Sequence, residues 1–83
     1  MSKQELLARV GELVRQVTEA RFAGSAYAKL ARAHGYADGY MRALLDAKLV
    51  ERDELLVLVG EARQQALDES EKAAEKSGAR RAA

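Results

Sequence analysis

The sequence predicts an all-α protein, a compact bundle of about four helices with a short central helical hairpin and a long C-terminal helix. Three observations carry that expectation. The 83-residue chain has no proline and is rich in Ala, Leu, Glu, Arg and Lys, all good helix formers. Its apolar residues recur in steps of three and four, the helical period. Helix-capping residues stand at the breaks between those periodic runs.

The first helix starts at a capping box. The Ser2 hydroxyl accepts from the Glu5 N–H, and the Glu5 carboxylate reaches back to the Ser2 N–H. Leu6, Val10, Leu13, Val17 and Ala20 then form one apolar stripe, with Leu7 and Val14 beside it. Arg9, Glu12, Arg15, Gln16 and Glu19 lie outside it. Gly11 weakens the helix interior by about 1 kcal/mol relative to Ala and points to a close helix approach. The helix is expected to end near 22–24.

Ser25 is a good N-cap for a second helix, whose inner face is Tyr27, Leu30 and Ala31. Gly35 suits a left-handed C′ position, with His34 in the last turn. Asp38 then caps a third helix, turning Met41, Leu44 and Leu45 inward, and Leu49-Val50 closes the segment. The fourth helix begins around 51–53, where Glu51, Asp53 and Glu54 favour its N-terminus. It carries Leu55, Val59, Ala62 and Ala66 inward and runs to the neighbourhood of Lys76. Leu55 to Val59 is apolar around the whole circumference, which predicts burial on two sides, one of them against a partner. Ser77-Gly78 is read as a stop. Residues 1–76 thus form a single helical domain and 77–83 a flexible basic tail.

Composition narrows the function classes. There is no cysteine, hence no disulfide and no thiolate metal site. The single histidine has no carboxylate at a ligand spacing, so no metal and no cofactor is expected. Carboxylate pairs such as Glu51/Glu54 and Asp68/Glu71 lie on helix starts or solvated faces, where charge compensation explains them better than catalysis. No glycine run cradles a phosphate. An enzyme is not expected. The N-terminus lacks the apolar core of a signal peptide, and the longest apolar run, Leu55–Val59, is far too short to cross a membrane. A cytoplasmic protein without membrane contact is expected. A chain this small has a thin core, so a homo-oligomer or a protein partner is anticipated.

Net charge is only +1. Residues 1–50 carry eight basic and five acidic side chains, whereas residues 51–83 carry six and eight. The first half is therefore the more basic one, and it holds the segment with the most specific pattern.

That segment runs from Leu30 through Ala31, Gly35, Met41 and Leu44. Ala31 is small where two helices would nearly touch, Gly35 follows four residues later where the chain would turn, and Leu30, Met41 and Leu44 anchor the two helices. In these respects residues 27–46 resemble helix-turn-helix DNA-binding proteins. The stretch from Gly35 to Leu49 looks like the recognition-helix region of plasmid-partition and repressor proteins. His34 stands where that family usually has an aliphatic residue, and Tyr36 is bulkier than its usual Val or Ile. The resemblance implies a small DNA-binding or transcription-regulating protein of a bacterium or its mobile elements. Double-stranded DNA would be the partner. Tyr40 and Arg42 would face the groove, with Ala43 allowing close approach, Lys29 and Arg32 on phosphates, and Tyr36 beside the turn. An ordinary helical hairpin accounts for the same capping residues equally well.

A second resemblance lies in Leu44-Leu45-Asp46-Ala47-Lys48-Leu49-Val50-Glu51-Arg52-Asp53-Glu54-Leu55. It looks like the LLDxGLIxxEEL hairpin of short oligomerisation or interaction modules, in which the aliphatic pair, here Leu49-Val50, plugs between two helices. Lys48 replaces the glycine of that pattern, which argues against a tight left-handed turn. The alternative function is therefore a small helical adaptor or inhibitor that binds another protein through an apolar surface. Leu55, Leu58, Val59 and Ala62 are the expected oligomerisation contacts.

Overall fold

The computed structural model describes the backbone of residues 1–82 and the side chains of residues 1–75. It contains three helices, α1 (Lys3–Phe22), α2 (Tyr27–Asp46) and α3 (Arg52–Ala82), and no strand among the described residues. The bundle has three helices rather than four.

The start of α1 matches the sequence reading. Ser2 Oγ accepts from the Glu5 N–H at 3.1 Å, and Glu5 Oε1 accepts from the Ser2 N–H at 3.2 Å. These bonds satisfy donors that a helix start otherwise leaves unpaired. At the other end Gly24 takes φ +72°. The Ser25 N–H donates to the Ala20 carbonyl at 3.0 Å, and the Gly24 N–H to that of Arg21 at 3.2 Å. This pair of bonds is a Schellman closure, and glycine adopts the left-handed conformation it needs without a steric penalty.

The central hairpin is the main correction. Residues 27–46 form one continuous helix, with Gly35 in its interior and no positive φ there. Ser25 makes no side-chain cap: Ala26 occupies the N-cap position without one. Asp38 is likewise a helix-interior residue, ion-paired to Arg42 one turn on (3.0 Å). Energetics explain the continuity. Glycine inside a helix costs about 1 kcal/mol against alanine. A break would instead leave up to four donors and four acceptors to satisfy at the new ends. The half-buried Leu30 and Ala33, the buried Ala37 and Leu44, and Tyr40 and Met41 also keep a three-four step straight through Gly35.

α2 closes on Lys48, which adopts φ +58° despite carrying a side chain. The Leu49 N–H donates to the Leu44 carbonyl and the Lys48 N–H to that of Leu45, both at 3.0 Å. The left-handed turn that Lys48 argued against therefore forms. Of the aliphatic pair that follows, only Val50 enters the core (5% exposed), while Leu49 is half exposed. α3 then starts with the Glu51 N–H donating to Glu54 Oε1 at 3.0 Å, the reach-back half of a capping box. The helix continues through Ser77-Gly78 to Ala82. The expected loose character of the 77–83 tail lies outside the described side chains.

α1 is the spine of the bundle. It packs against both other helices, whereas α2 and α3 barely touch each other. The chain runs up, down and up, so α1 and α3 are parallel. Ion pairs Lys3–Glu54 (2.7 Å) and Arg15–Glu69 join them at the start of α1 and beyond its midpoint. The core is Leu6, Val10, Val14, Leu44, Val50, Leu55 and Ala62, with Leu7, Tyr40, Met41, Leu45, Leu58 and Val59 packed against it. Val10 and Ala66 are the most completely enclosed, at 1% and 0% exposure.

Within this core the expected oligomerisation residues point inward. Leu55 and Ala62 are buried, and Leu58 and Val59 are half-buried against the chain's own core. The outward side of the Leu55–Val59 run is Leu56 and Val57, 65% and 61% exposed. Every described side chain from Glu71 to Glu75 is exposed, so α3 runs on past the bundle and contributes to an elongated shape of 53 × 25 × 19 Å.

Candidate binding cleft

Because α2 and α3 diverge, a cleft of about 460 Å³ opens between them with α1 as its floor. Val14, Val17, Thr18, Arg21 and Phe22 line it from α1. His34, Ala37, Asp38 and Met41 line it from α2, and Val59, Arg63 and Leu67 from α3. On each outer helix these residues sit three or four apart, which places them along one side of the helix, with Ala37, Met41 and Val59 shared with the core. The two flanks explain why the gap stays open. The α2 side offers the polar His34 and Asp38 and the small Ala37, and the α3 side offers Arg63, so little apolar surface would be buried by closing it.

The floor is largely apolar. Val14 is buried and Val17 half-buried. Thr18 is buried but satisfied, its hydroxyl donating to the Val14 carbonyl at 2.9 Å. Phe22, at the mouth, is 47% exposed, a large apolar side chain left at the edge of the cleft. Asp38 is neutralised by Arg42. Neither Arg21 nor Arg63 has an ion-pair partner among the described residues, and both side chains are exposed. The cleft is thus apolar below and positive at its rim.

A second, shallower groove of about 340 Å³ lies between α1 and α2 on the other flank of α2. Arg9, Leu13, Gln16, Lys29, Arg32, Ala33 and Tyr36 line it. It gathers three of the residues expected to contact DNA, namely Lys29, Arg32 and Tyr36. The others do not join them as a reading surface. Tyr40 is half-buried against the core, Ala43 presents only a methyl, and Arg42 lies on the far side of α2 in its pair with Asp38. With no turn at Gly35 there is no separate recognition helix to enter a major groove.

Among the described residues no group of three or more His, Asp or Glu side chains could hold a metal ion. No described helix is long and apolar enough to cross a membrane. Comparison with protein-family models, curated proteins and solved structures returns no match.

The sequence reading missed the cleft. It placed His34 at a helix end and gave Arg63, Leu67 and Phe22 no role. The signal was present in the inward rows themselves: Ala37 and Met41 on α2 and Val59 on α3 are packed with the core and also line the cleft, and the half-buried Leu67 continues the α3 side. A row of that kind becomes a site only when the neighbouring helix fails to cover it, which spacing alone does not reveal.

Proposed function

We propose that the protein is a small helical adaptor that binds a helix of another protein in the α2–α3 cleft. The observation that carries this reading is the cleft itself, which occupies the place a fourth helix would take in a four-helix bundle. Its apolar floor, edged by Phe22, Met41 and Leu67, suits helix-in-groove recognition, in which residues three, four and seven apart on the guest enter the groove. The transcription-regulator reading loses the geometry on which it depended, and keeps only the Lys29, Arg32 and Tyr36 cluster.

The test is an NMR titration of the labelled protein with a panel of stapled amphipathic helices, with random duplex DNA in parallel. Amide shifts centred on Val17, Phe22, Met41 and Leu67, weakened by Phe22→Ser, are expected. Silence with every helix would overturn the reading. Shifts confined to the Arg9, Lys29 and Arg32 groove with duplex DNA would return the function to nucleic acid.

Self-association is the second reading, favoured by the adjacent exposure of Leu56 and Val57 on α3.

A further inference from the structure

We infer that the guest of the cleft is an amphipathic helix with acidic side chains flanking its apolar row. This inference rests on the reading of the cleft as a helix-binding groove and specifies the chemistry of its partner.

The argument is charge complementarity around an apolar floor. Arg21 projects from α1 and Arg63 from α3, and both line the cleft without an ion-pair partner among the described residues. Asp38, the only carboxylate in the lining among the described residues, is ion-paired to Arg42. An uncharged or basic helix would leave both guanidiniums facing its flank unpaired. A helix with Asp or Glu beside its apolar row would pair with them as the floor excludes water. Two cations from two different helices match a guest that presents several carboxylates along its length. A single-headed amphiphile such as a fatty acid would satisfy one. A polyanion without apolar surface would leave Val17, Phe22 and Leu67 uncovered. The spans Val14–Phe22 and Val59–Leu67 each rise about 12 Å from end to end, so the guest engages through roughly two turns.

The experiment uses the full chain and three stapled helical peptides with the same leucine row, flanked by Glu, by Gln or by Lys, plus decanoate. Affinities are measured by fluorescence anisotropy for the labelled peptides and by calorimetry for decanoate, all at low salt. The Glu peptide should bind roughly three- to tenfold more tightly than the Gln peptide, the Lys peptide should bind most weakly, and the difference should shrink with salt. Arg63→Glu should abolish or reverse the order. Arg32→Glu, in the other groove, should leave it unchanged. Equal binding of the Glu and Gln peptides would overturn this inference while sparing the helix-binding reading. Absence of binding by all three peptides would overturn that reading as well. Saturable decanoate binding that displaces the Glu peptide would reassign the cleft to a small amphiphile.

Discussion

The Leu49 N–H donates to the Leu44 carbonyl at 3.0 Å, closing α2 across Lys48 at φ +58°. This bond reverses the chain and delivers Val50 into the core between Leu44 and Leu55, all three buried in one cluster. A residue with a Cβ takes that conformation at a cost of about 1–2 kcal/mol. The Lys48 side chain is exposed and forms no ion pair among the described residues, so nothing at the position requires lysine.

Replacing it should therefore show the strain directly. Lys48→Gly relieves the backbone but loosens the unfolded chain, and the net expectation is a gain of up to ~1 kcal/mol. Lys48→Val should lose at least ~1 kcal/mol, because a β-branched residue fits a positive φ poorly. Urea denaturation of the two variants decides it; equal stabilities would mean the turn is not left-handed in solution.

Gly35→Ala separates one helix from two. Inside a continuous helix, alanine should stabilise by ~0.5–1 kcal/mol, and its Cβ meets nothing within 4 Å. In a glycine turn with positive φ the same change would destabilise. A loss of stability by thermal or chemical unfolding would restore the helix-turn-helix reading of residues 27–46.

Val10 sits at the centre of the core, 1% exposed on the helix that touches both others. Val10→Ala removes two methyl groups and leaves a cavity, with an expected loss of roughly 2–3 kcal/mol. At ~4–8 °C per kcal/mol for a chain of this size, the melting temperature should fall by more than ~8 °C. A change of a degree or two would mean that α1 is not the spine.

The Lys3–Glu54 pair predicts a stability plateau with two shoulders. The hydrogen bond from Lys3, assisted by the Glu51 N–H, lowers the Glu54 pKa below its usual 4.5. That contribution is present above the unfolded value and is lost as pH falls through the lowered folded one. The hydrogen bond to Glu54 raises the Lys3 pKa above 10.5, so its contribution is present below that value and is lost as pH rises through the raised one. Both side chains keep a third to a half of their surface in solvent, so salt should flatten both shoulders. Lys3→Met should reduce the pH dependence at each end in melting curves, most clearly on the alkaline side. A variant with an unchanged profile would show that the pair contributes nothing.

If Leu56 and Val57 are a self-association face, the wild type is dimeric at micromolar concentration and Leu56→Lys with Val57→Lys is monomeric. Both positions are largely exposed, so the double variant should retain its helical signal. A monomeric wild type by light scattering would remove this reading.

Local chemistry alone determined the helical class, the Ser2–Glu5 cap, the end of α1 near Gly24 and the inward row of α3. Each depends on residues within one or two turns, where spacing and capping bonds decide the outcome. The helix count failed at Gly35 because a glycine there is compatible with both a turn and a helix interior. The choice fell to the unbroken burial of Ala37, Tyr40, Met41 and Leu44 against α1. The Lys48 turn likewise forms against the local preference of lysine, since it lets Val50 reach the core. The cleft was beyond local reasoning altogether. Its flanks are visible as spaced residues on α2 and α3, but whether two helices close over a flank or splay apart depends on the total apolar surface each offers the other. Only the tertiary structure settles that balance: α1 takes the apolar contacts of both neighbours, and His34, Asp38 and Arg63 face a gap left open.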